Sequence, residues 1–215
     1  MPKGRVLNRV ESLLGAAGLI PEDSLSTTRK LATPVTNAPA ILGAHLEVLL
    51  LKNSDVPVYV EHGVADVGVS GTDVLIEAGV SVLRPHTFEF GKCDIVLAGK
   101  PEHDLAYLRA LPTMLVATKY VRFASDYFSR SGWEAEIVPL SGSVELAPVL
   151  GLTHAIVDLM ETGKTLRENG LVPHLTIGRT SLKLIANRAM SRAGSASVNR
   201  LIDILHTAER DQNHV

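Results

Sequence analysis

The feature that most constrains this chain is an alternation. "HLEVLLL" (residues 45–51) is a largely apolar run of strand type. "SDVPVYVEHG" (54–63) then takes helical form, with Ser54 or Asp55 as cap, Pro57 in the first turn and Gly63 as a stop, and "ADVGVSG" (65–71) is again a strand. Thr72 caps "TDVLIEAG" (72–79), Gly79 ends it, and "VSVL" (80–83) resumes the β pattern. Strands joined by single-helix crossovers predict a parallel, helix-covered sheet.

Upstream, Leu7, Val10, Leu14 and Ala17 recur at helical spacing and Gly18 supplies a stop. Downstream, "CDIVLAG" (93–99), "TMLVATK" (113–119), "EAEIVPL" (134–140) and "HAIVDLM" (154–160) read as strands. Between them lie a helix from Tyr120 to Ser131, stopped by Gly132, and another capped from Ser141 or Ser143. "LTIG" and "SLKLIANRAM" add strands, and Val198 to Ala208 forms a helix before a frayed tail, "ERDQNHV". These are too many strands for one small sheet. Pro and Gly interrupt the pattern near Pro85 to Gly91 and Pro173 to Arg179. The expectation is therefore α/β in two lobes, residues 1–88 with 178–215 and residues 89–177, with a cleft between the lobes for polar ligands.

Composition narrows the function classes. With 46% apolar residues in 215 and a net charge of −2, the chain can bury a sizeable core and carries no basic footprint for nucleic acid. "MPKGRVLNRV" has no apolar leader, and no segment reaches the roughly 18 apolar residues of a membrane span. A cytoplasmic location is expected, with neither nucleic acid nor membrane as partner. Cys93, the single cysteine, opens an apolar run and reads as a small buried strand residue.

Chemistry concentrates in "VDLMETGKTL" (157–166), where an apolar run with an embedded acid breaks into Thr-Gly-Lys-Thr. A Walker A loop is excluded, because that motif needs glycine five positions before Gly163 and Asp158 stands there. What remains suits a phosphorylated sugar. Backbone N–H groups with the hydroxyls of Thr162 and Thr165 can donate to a phosphomonoester, while Asp158 or Glu161 accepts from ribose hydroxyls or faces a hydrated Mg²⁺. The turn reads equally as an ordinary capped strand-to-helix connection. "LSGSVELAPVLGL" brings Glu145 one helix-to-strand return before Asp158, although such an acid taken alone is more often a solvated helical residue than a ligand. His62, His86, His103 and His154 lack the i, i+4 pairing with an acid seen in zinc hydrolases.

"LSGSVELAPVLGLTHAIVDLMETGKTLRENGL", with "PKGR" at the start and "DVPVYVEHGVADVGVSGTDVLIE", resembles the ATP phosphoribosyltransferase family over nearly the whole chain, from Pro2 to about Arg192. The resemblance implies transfer of phosphoribose from 5-phosphoribosyl 1-pyrophosphate (PRPP) to adenine N1 of ATP, with Mg²⁺ required, in the first step of histidine biosynthesis. It implies two α/β lobes resembling a type II periplasmic binding protein. By position, Asp158 to Thr165 matches the PRPP element, with Glu161, Thr162, Gly163, Lys164 and Thr165 around the 5′-phosphate and Asp158 and Glu145 at the ribose. Lys3, Arg5 and Arg29 match basic residues near the phosphates, where cations stabilise the leaving pyrophosphate, Arg5 and Arg29 being the catalytic assignments. Asp55, Tyr59, Glu61, Gly71, Thr118 and Lys119 match motifs lining the ATP side, although Asp55 reads equally as an N-cap and Tyr59 as a core residue.

The chain also departs from the family. Thr153-His154-Ala155-Ile156 stands where Ala-Asp-Ala-Ile is usual. Either His154 alters polarity beside the PRPP element, or it faces water at the strand's entry; it is left out of the site. Thr87-Phe88-Glu89 replaces an acid followed by Leu-Gly. The length matches the short form, which implies a hetero-oligomer with a regulatory subunit resembling histidyl-tRNA synthetase, the catalytic chains pairing as a homodimer. The competing reading is a binding protein or degenerate paralogue that holds a phosphoribosyl ligand without turnover.

Overall fold

The structure, a computed structural model, describes residues 1–2, 5–190 and 192–212, with the backbone alone at positions 5, 192, 193 and 212. In chain order the first elements are α1 (Arg5–Ala16), β1 (Ala32–Val35), α2 (Ala38–Leu42), β2 (Leu46–Leu49), α3 (Val56–Glu61), β3 (Val67–Gly71), α4 (Thr72–Ala78) and β4 (Leu83–Thr87). There follow β5 (Cys93–Gly99), α5 (Leu105–Ala110), β6 (Met114–Thr118), α6 (Val121–Ser131), β7 (Ala135–Pro139), α7 (Leu146–Val149), β8 (Ala155–Met160), α8 (Lys164–Glu168) and β9 (Val172–Thr180). β10 (Leu182–Ala186) and α9 (Arg192–Gln212) end the chain. It divides into two compact units, Met1–Gly91 with Ser181–Val215 and Lys92–Thr180.

The expected all-parallel pairing is corrected. In unit 1 the strand order is β3-β10-β4, with β10 antiparallel to both neighbours. β3 and β4 do run parallel, as their single-helix connection through α4 requires, but the returning strand β10 lies between them. Unit 2 has the order β7-β6-β8-β5-β9: the β6–β7 and β6–β8 pairs are parallel, and β5 is antiparallel to β8 and β9. Local alternation fixes the sense of strands joined by one helix. It carries no information about strands that arrive from far along the chain.

β1 pairs with β2 and was not anticipated, because "ATPV" is short and Pro34 interrupts it; the proline is tolerated since β2 is β1's one sheet neighbour. α9 begins earlier and ends later than expected. The anticipated frayed tail is helical to Gln212 and contains buried Glu209; residues 213–215 lie outside the described ones.

Each unit has its own core. In unit 1, Leu7, Val10 and Leu14 of α1 cluster with Leu201 and Leu205 of α9 and with Val69 and Leu184 from the sheet. Gly68 lets α3 lie close on β3, since a Cβ there would meet Val56 Cγ1 at 2.8 Å. In unit 2 the sheet is covered on both faces. Ile95, Leu97 and Val157 pack with Ala124 and Phe128 of α6, while Val96, Ala98 and Ile156 pack with Val144, Ala147 and Leu166. Two covered faces explain why "CDIVLAG" and "AIV" are continuously apolar. Each fully buried leucine or phenylalanine contributes about 1.5–3 kcal/mol through the water it sheds.

Candidate functional site

Period-two alternation along β8 puts Asp158 on the same face as Ile156, beside α7 and α8. Its carboxylate is 17% exposed, accepts the Leu159 N–H at Oδ1 (2.8 Å) and has the Lys119 ammonium 3.6 Å from the same oxygen. Burial raises its pKa above the ordinary carboxylate value. The Lys119 charge and the Leu159 N–H oppose that shift, and repulsion from Glu145 adds to it. Glu145, at the N-cap of α7 without a side-chain cap bond, is thus electrostatically coupled to Asp158, and the structure brings the two acids into one neighbourhood.

The turn after β8 presents donors. Gly163 adopts φ +69°, and a Cβ there would lie 3.1 Å from Arg167 Nη1 and 3.4 Å from Met160 Sδ, so the position demands glycine for conformation and for space. The turn's carbonyls are bound from the α8 side. Arg167 Nη1 donates to Thr162 O (3.0 Å), Arg167 N to Gly163 O (3.1 Å) and Asn169 Nδ2 to Thr165 O (2.9 Å). Glu161, Thr162, Lys164 and Thr165 are all exposed. Lys164 sits 3.7 Å from Glu168 in an exposed i, i+4 pair. The Lys164 N–H donates to Thr162 Oγ1 (3.4 Å) within the turn, and a glycine turn whose carbonyls are bound from one side suits an anion at its remaining donors.

Other expected residues fall differently. Thr118 is fully buried, donates its hydroxyl to Val157 O (2.6 Å) and accepts the Tyr120 N–H (2.9 Å), so it ties β6 to β8 and offers no group to a ligand; its ATP-side assignment is corrected. Lys119, expected on the ATP side, reaches Asp158, which was expected at the PRPP ribose, and also lies over the Tyr120 ring at 4.9 Å. Gly71 is the N-cap of α4, Asp55 is the N-cap of α3 and accepts from Ser54 Oγ (2.8 Å), and Glu61 Oε1 accepts the Ser81 N–H (2.6 Å). Tyr59 is 39% exposed and so is not a core residue. Arg29 lies exposed in the segment before β1. Lys3 and the Arg5 side chain lie outside the described residues. The structure brings Glu145, Asp158, Lys119 and the 161–165 turn together within unit 2, while Arg29, Asp55, Tyr59, Glu61 and Gly71 belong to unit 1.

His154 matches neither reading of it. It precedes β8, and its Nδ1 accepts the Leu115 N–H at 2.9 Å while its own N–H donates to Leu115 O at 2.9 Å, so the ring extends the β6–β8 pairing. Two features escaped sequence reasoning. Ser143, just before α7, has φ +49°, alone among the described non-glycine residues in the left-handed region; its sole sequence signal is the Ser-Gly-Ser turn. Arg167 bears on the turn with no signal beyond its spacing from Thr162.

Among the described residues, no group of three or more His, Cys, Asp or Glu could hold a metal ion. Asp158 and Glu145 are hard oxygen donors, which fit a hydrated divalent cation shared with substrate phosphates. A cavity of about 840 Å³ in unit 1, lined mainly by apolar residues such as Val48, Val69 and Leu205, contains none of the candidate residues and offers poor solvation for polyanions. No helix of the described residues is long and apolar enough to cross a membrane.

The profile of the HisG family, ATP phosphoribosyltransferase, matches residues 52–207. A protein of Sorangium cellulosum named ATP phosphoribosyltransferase is 42% identical over 208 residues, 97% of this chain and 93% of that protein. One of Pseudomonas savastanoi pv. phaseolicola with the same name is 38% identical over 209 residues, 97% of this chain and 94% of that protein. Among solved structures, the ATP phosphoribosyl transferase (HisG:HisZ) complex from Thermotoga maritima matches with a TM-score of 0.82 and 31% identity, over 98% of this chain and 96% of that one. Tv2483 bound to L-arginine matches in fold, with a TM-score of 0.54 and 14% identity over 77% of this chain and 69% of that one.

Proposed function

This chain belongs to the ATP phosphoribosyltransferase family, and from that premise we propose that its unit 2 holds PRPP while it performs the family's reaction, the first step of histidine biosynthesis. In that reaction the lone pair of adenine N1 attacks C1 of the ribose. The C1–O bond to pyrophosphate breaks, its electron pair leaves with the pyrophosphate, and phosphoribosyl-ATP forms. No protein nucleophile is required, so catalysis rests on positioning and on stabilising the leaving group.

The observation that carries the assignment of the PRPP side is the 161–165 turn, with its carbonyls bound from behind and the half-withdrawn Asp158 carboxylate at its entrance. Thr162, Gly163, Lys164 and Thr165 take the 5′-phosphate, and Asp158 and Glu145 accept from the ribose hydroxyls. Glu161 belongs to the same turn. The Lys119 charge favours the ionised form of Asp158 against the burial that disfavours it. Arg5 and Arg29 are assigned to the leaving pyrophosphate, and Lys3, Asp55, Tyr59, Glu61 and Gly71 to the ATP side. When bound, Mg²⁺ would neutralise charge on the departing pyrophosphate; Asp158 and Glu145 are the residues that would share it with the phosphates.

The partner is a HisZ-type regulatory subunit, a reading supported by the HisG:HisZ complex from Thermotoga maritima; the proposal adds that this subunit resembles histidyl-tRNA synthetase and that the catalytic chains pair as a homodimer. The test is turnover: purified protein with ATP, PRPP and Mg²⁺, with and without such a partner, followed by mass spectrometry for phosphoribosyl-ATP. Product is expected with the partner present. PRPP binding without product under either condition would favour a degenerate binding protein instead.

A further inference from the structure

The 161–165 turn is bound from behind by a residue just beyond the 158–165 element. Arg167, on α8, donates from Nη1 to Thr162 O at 3.0 Å and from its backbone N–H to Gly163 O at 3.1 Å. Its guanidinium occupies the space behind Gly163, where a Cβ would come within 3.1 Å of Nη1. Two consecutive carbonyl dipoles of the turn are therefore drawn toward α8. Without the guanidinium the Thr162 oxygen would be free to rotate outward, where it would repel a phosphate, while the Gly163 oxygen stays held by the first backbone bond of α8.

Charge makes a second contribution. The Lys164 ammonium is partly neutralised by Glu168 at 3.7 Å, whereas among the described residues Arg167 makes no ion pair with a carboxylate. The uncompensated cation behind the turn is Arg167, and Lys164, despite its place in the motif, is a weaker source of positive potential. A guanidinium bound to a carbonyl also keeps a fixed plane, which an ammonium does not.

We propose that Arg167 is a positioning residue for the phosphate of PRPP, its guanidinium binding the Thr162 carbonyl from behind and biasing the turn electrostatically toward the anion without touching the sugar or the reacting atoms. This rests on the assignment of the turn to PRPP, and it makes a claim that the motif does not: Arg167 matters more than Lys164.

The test compares wild type, Arg167→Met, Arg167→Lys and Lys164→Met, each assayed with a HisZ-type partner while ATP and PRPP are varied in turn, and each titrated with ribose 5-phosphate by amide NMR. Arg167→Met is expected to raise both the KM for PRPP and the Kd for ribose 5-phosphate about tenfold, the scale of one lost charge-assisted bond. The KM for ATP should stay within about twofold and the thermal midpoint within about 2 °C, because the bond removed is exposed. Arg167→Lys should recover part of the loss by restoring charge, and Lys164→Met should change less than Arg167→Met. Unchanged PRPP and ribose 5-phosphate affinities in Arg167→Met, or a matching rise in the KM for ATP, would overturn the proposal. If wild type makes no phosphoribosyl-ATP, the functional reading fails and the titration still decides. A tenfold loss of ribose 5-phosphate affinity in Arg167→Met supports the positioning role, and no loss, or no binding by wild type, overturns it.

Discussion

Glu209 and Asp158, both drawn back from water, do opposite things. Glu209 on α9, 6% exposed, has both oxygens engaged: Oε1 accepts the Glu89 N–H at 2.7 Å, and Oε2 lies 3.0 Å from His86 Nε2. It fastens the last helix to the end of β4. Asp158 in unit 2, 17% exposed, has both of its contacts on Oδ1, and one of them is a long 3.6 Å approach by Lys119. A buried acid satisfied on both oxygens is a fastening. One buried against its own preference and satisfied on one oxygen is held ready for something that arrives.

Removing each charge is the strongest way to break that comparison. Asp158→Asn is expected to lower kcat/KM by roughly 10²–10³-fold while leaving the folded state intact. Glu209→Ala should do the reverse. It strands the Glu89 N–H and His86, costing about 1–3 kcal/mol in urea unfolding, with kcat/KM changed little. Equal losses of activity in the two variants would erase the distinction.

Gly163→Ala is expected to come next. A left-handed φ with a side chain costs about 1–2 kcal/mol, and the new Cβ must displace Arg167 Nη1 or Met160 Sδ. A raised KM for PRPP with little change in the KM for ATP is the result to look for in steady-state kinetics.

The pH response sharpens the contrast further. The folded-state pKa of Asp158 is raised above the ordinary carboxylate value, chiefly by burial. Folding therefore favours its protonated form, and stability falls as the pH rises from the ordinary carboxylate value to the raised one, the penalty being complete above it. Thermal melts of Asp158→Asn should equal or exceed those of wild type at neutral pH and lose that advantage in acid. Activity should show an acid limb above the ordinary aspartate range. A variant less stable than wild type at pH 7 would mean that the carboxylate is a fastening after all.

The smallest effect expected is at His154. His154→Ala removes the acceptor for the Leu115 N–H and should cost about 1 kcal/mol of stability, with the KM for PRPP within about twofold.

What could be read from the sequence divides along the range of the interactions. β5 coincides with the run "CDIVLAG", and the family was identifiable from motifs that lie in continuous stretches. The place of β10 between β3 and β4 could not be read, because pairing between distant segments leaves no local period. The site divides in the same way. Asp158 and the turn to Thr165 form one continuous motif, so their neighbourhood was visible. The approach of Lys119 to Asp158 depends on β6 lying beside β8, which puts Lys119 next to the 158–165 segment and the Thr118 side chain inside the sheet. Glu209 was assigned to a frayed tail because a polar, charged segment looks the same whether its acid faces water or a neighbouring strand.

The central claim is that the 161–165 turn of unit 2 holds the 5′-phosphate of PRPP, and backbone amide NMR tests it most directly. Titration with PRPP and Mg²⁺ should shift the amides of Thr162, Gly163, Lys164 and Thr165 together, and Asp158→Asn should weaken the binding without moving it elsewhere. Saturable binding that leaves those four amides in place and shifts residues of unit 1 instead would contradict the account.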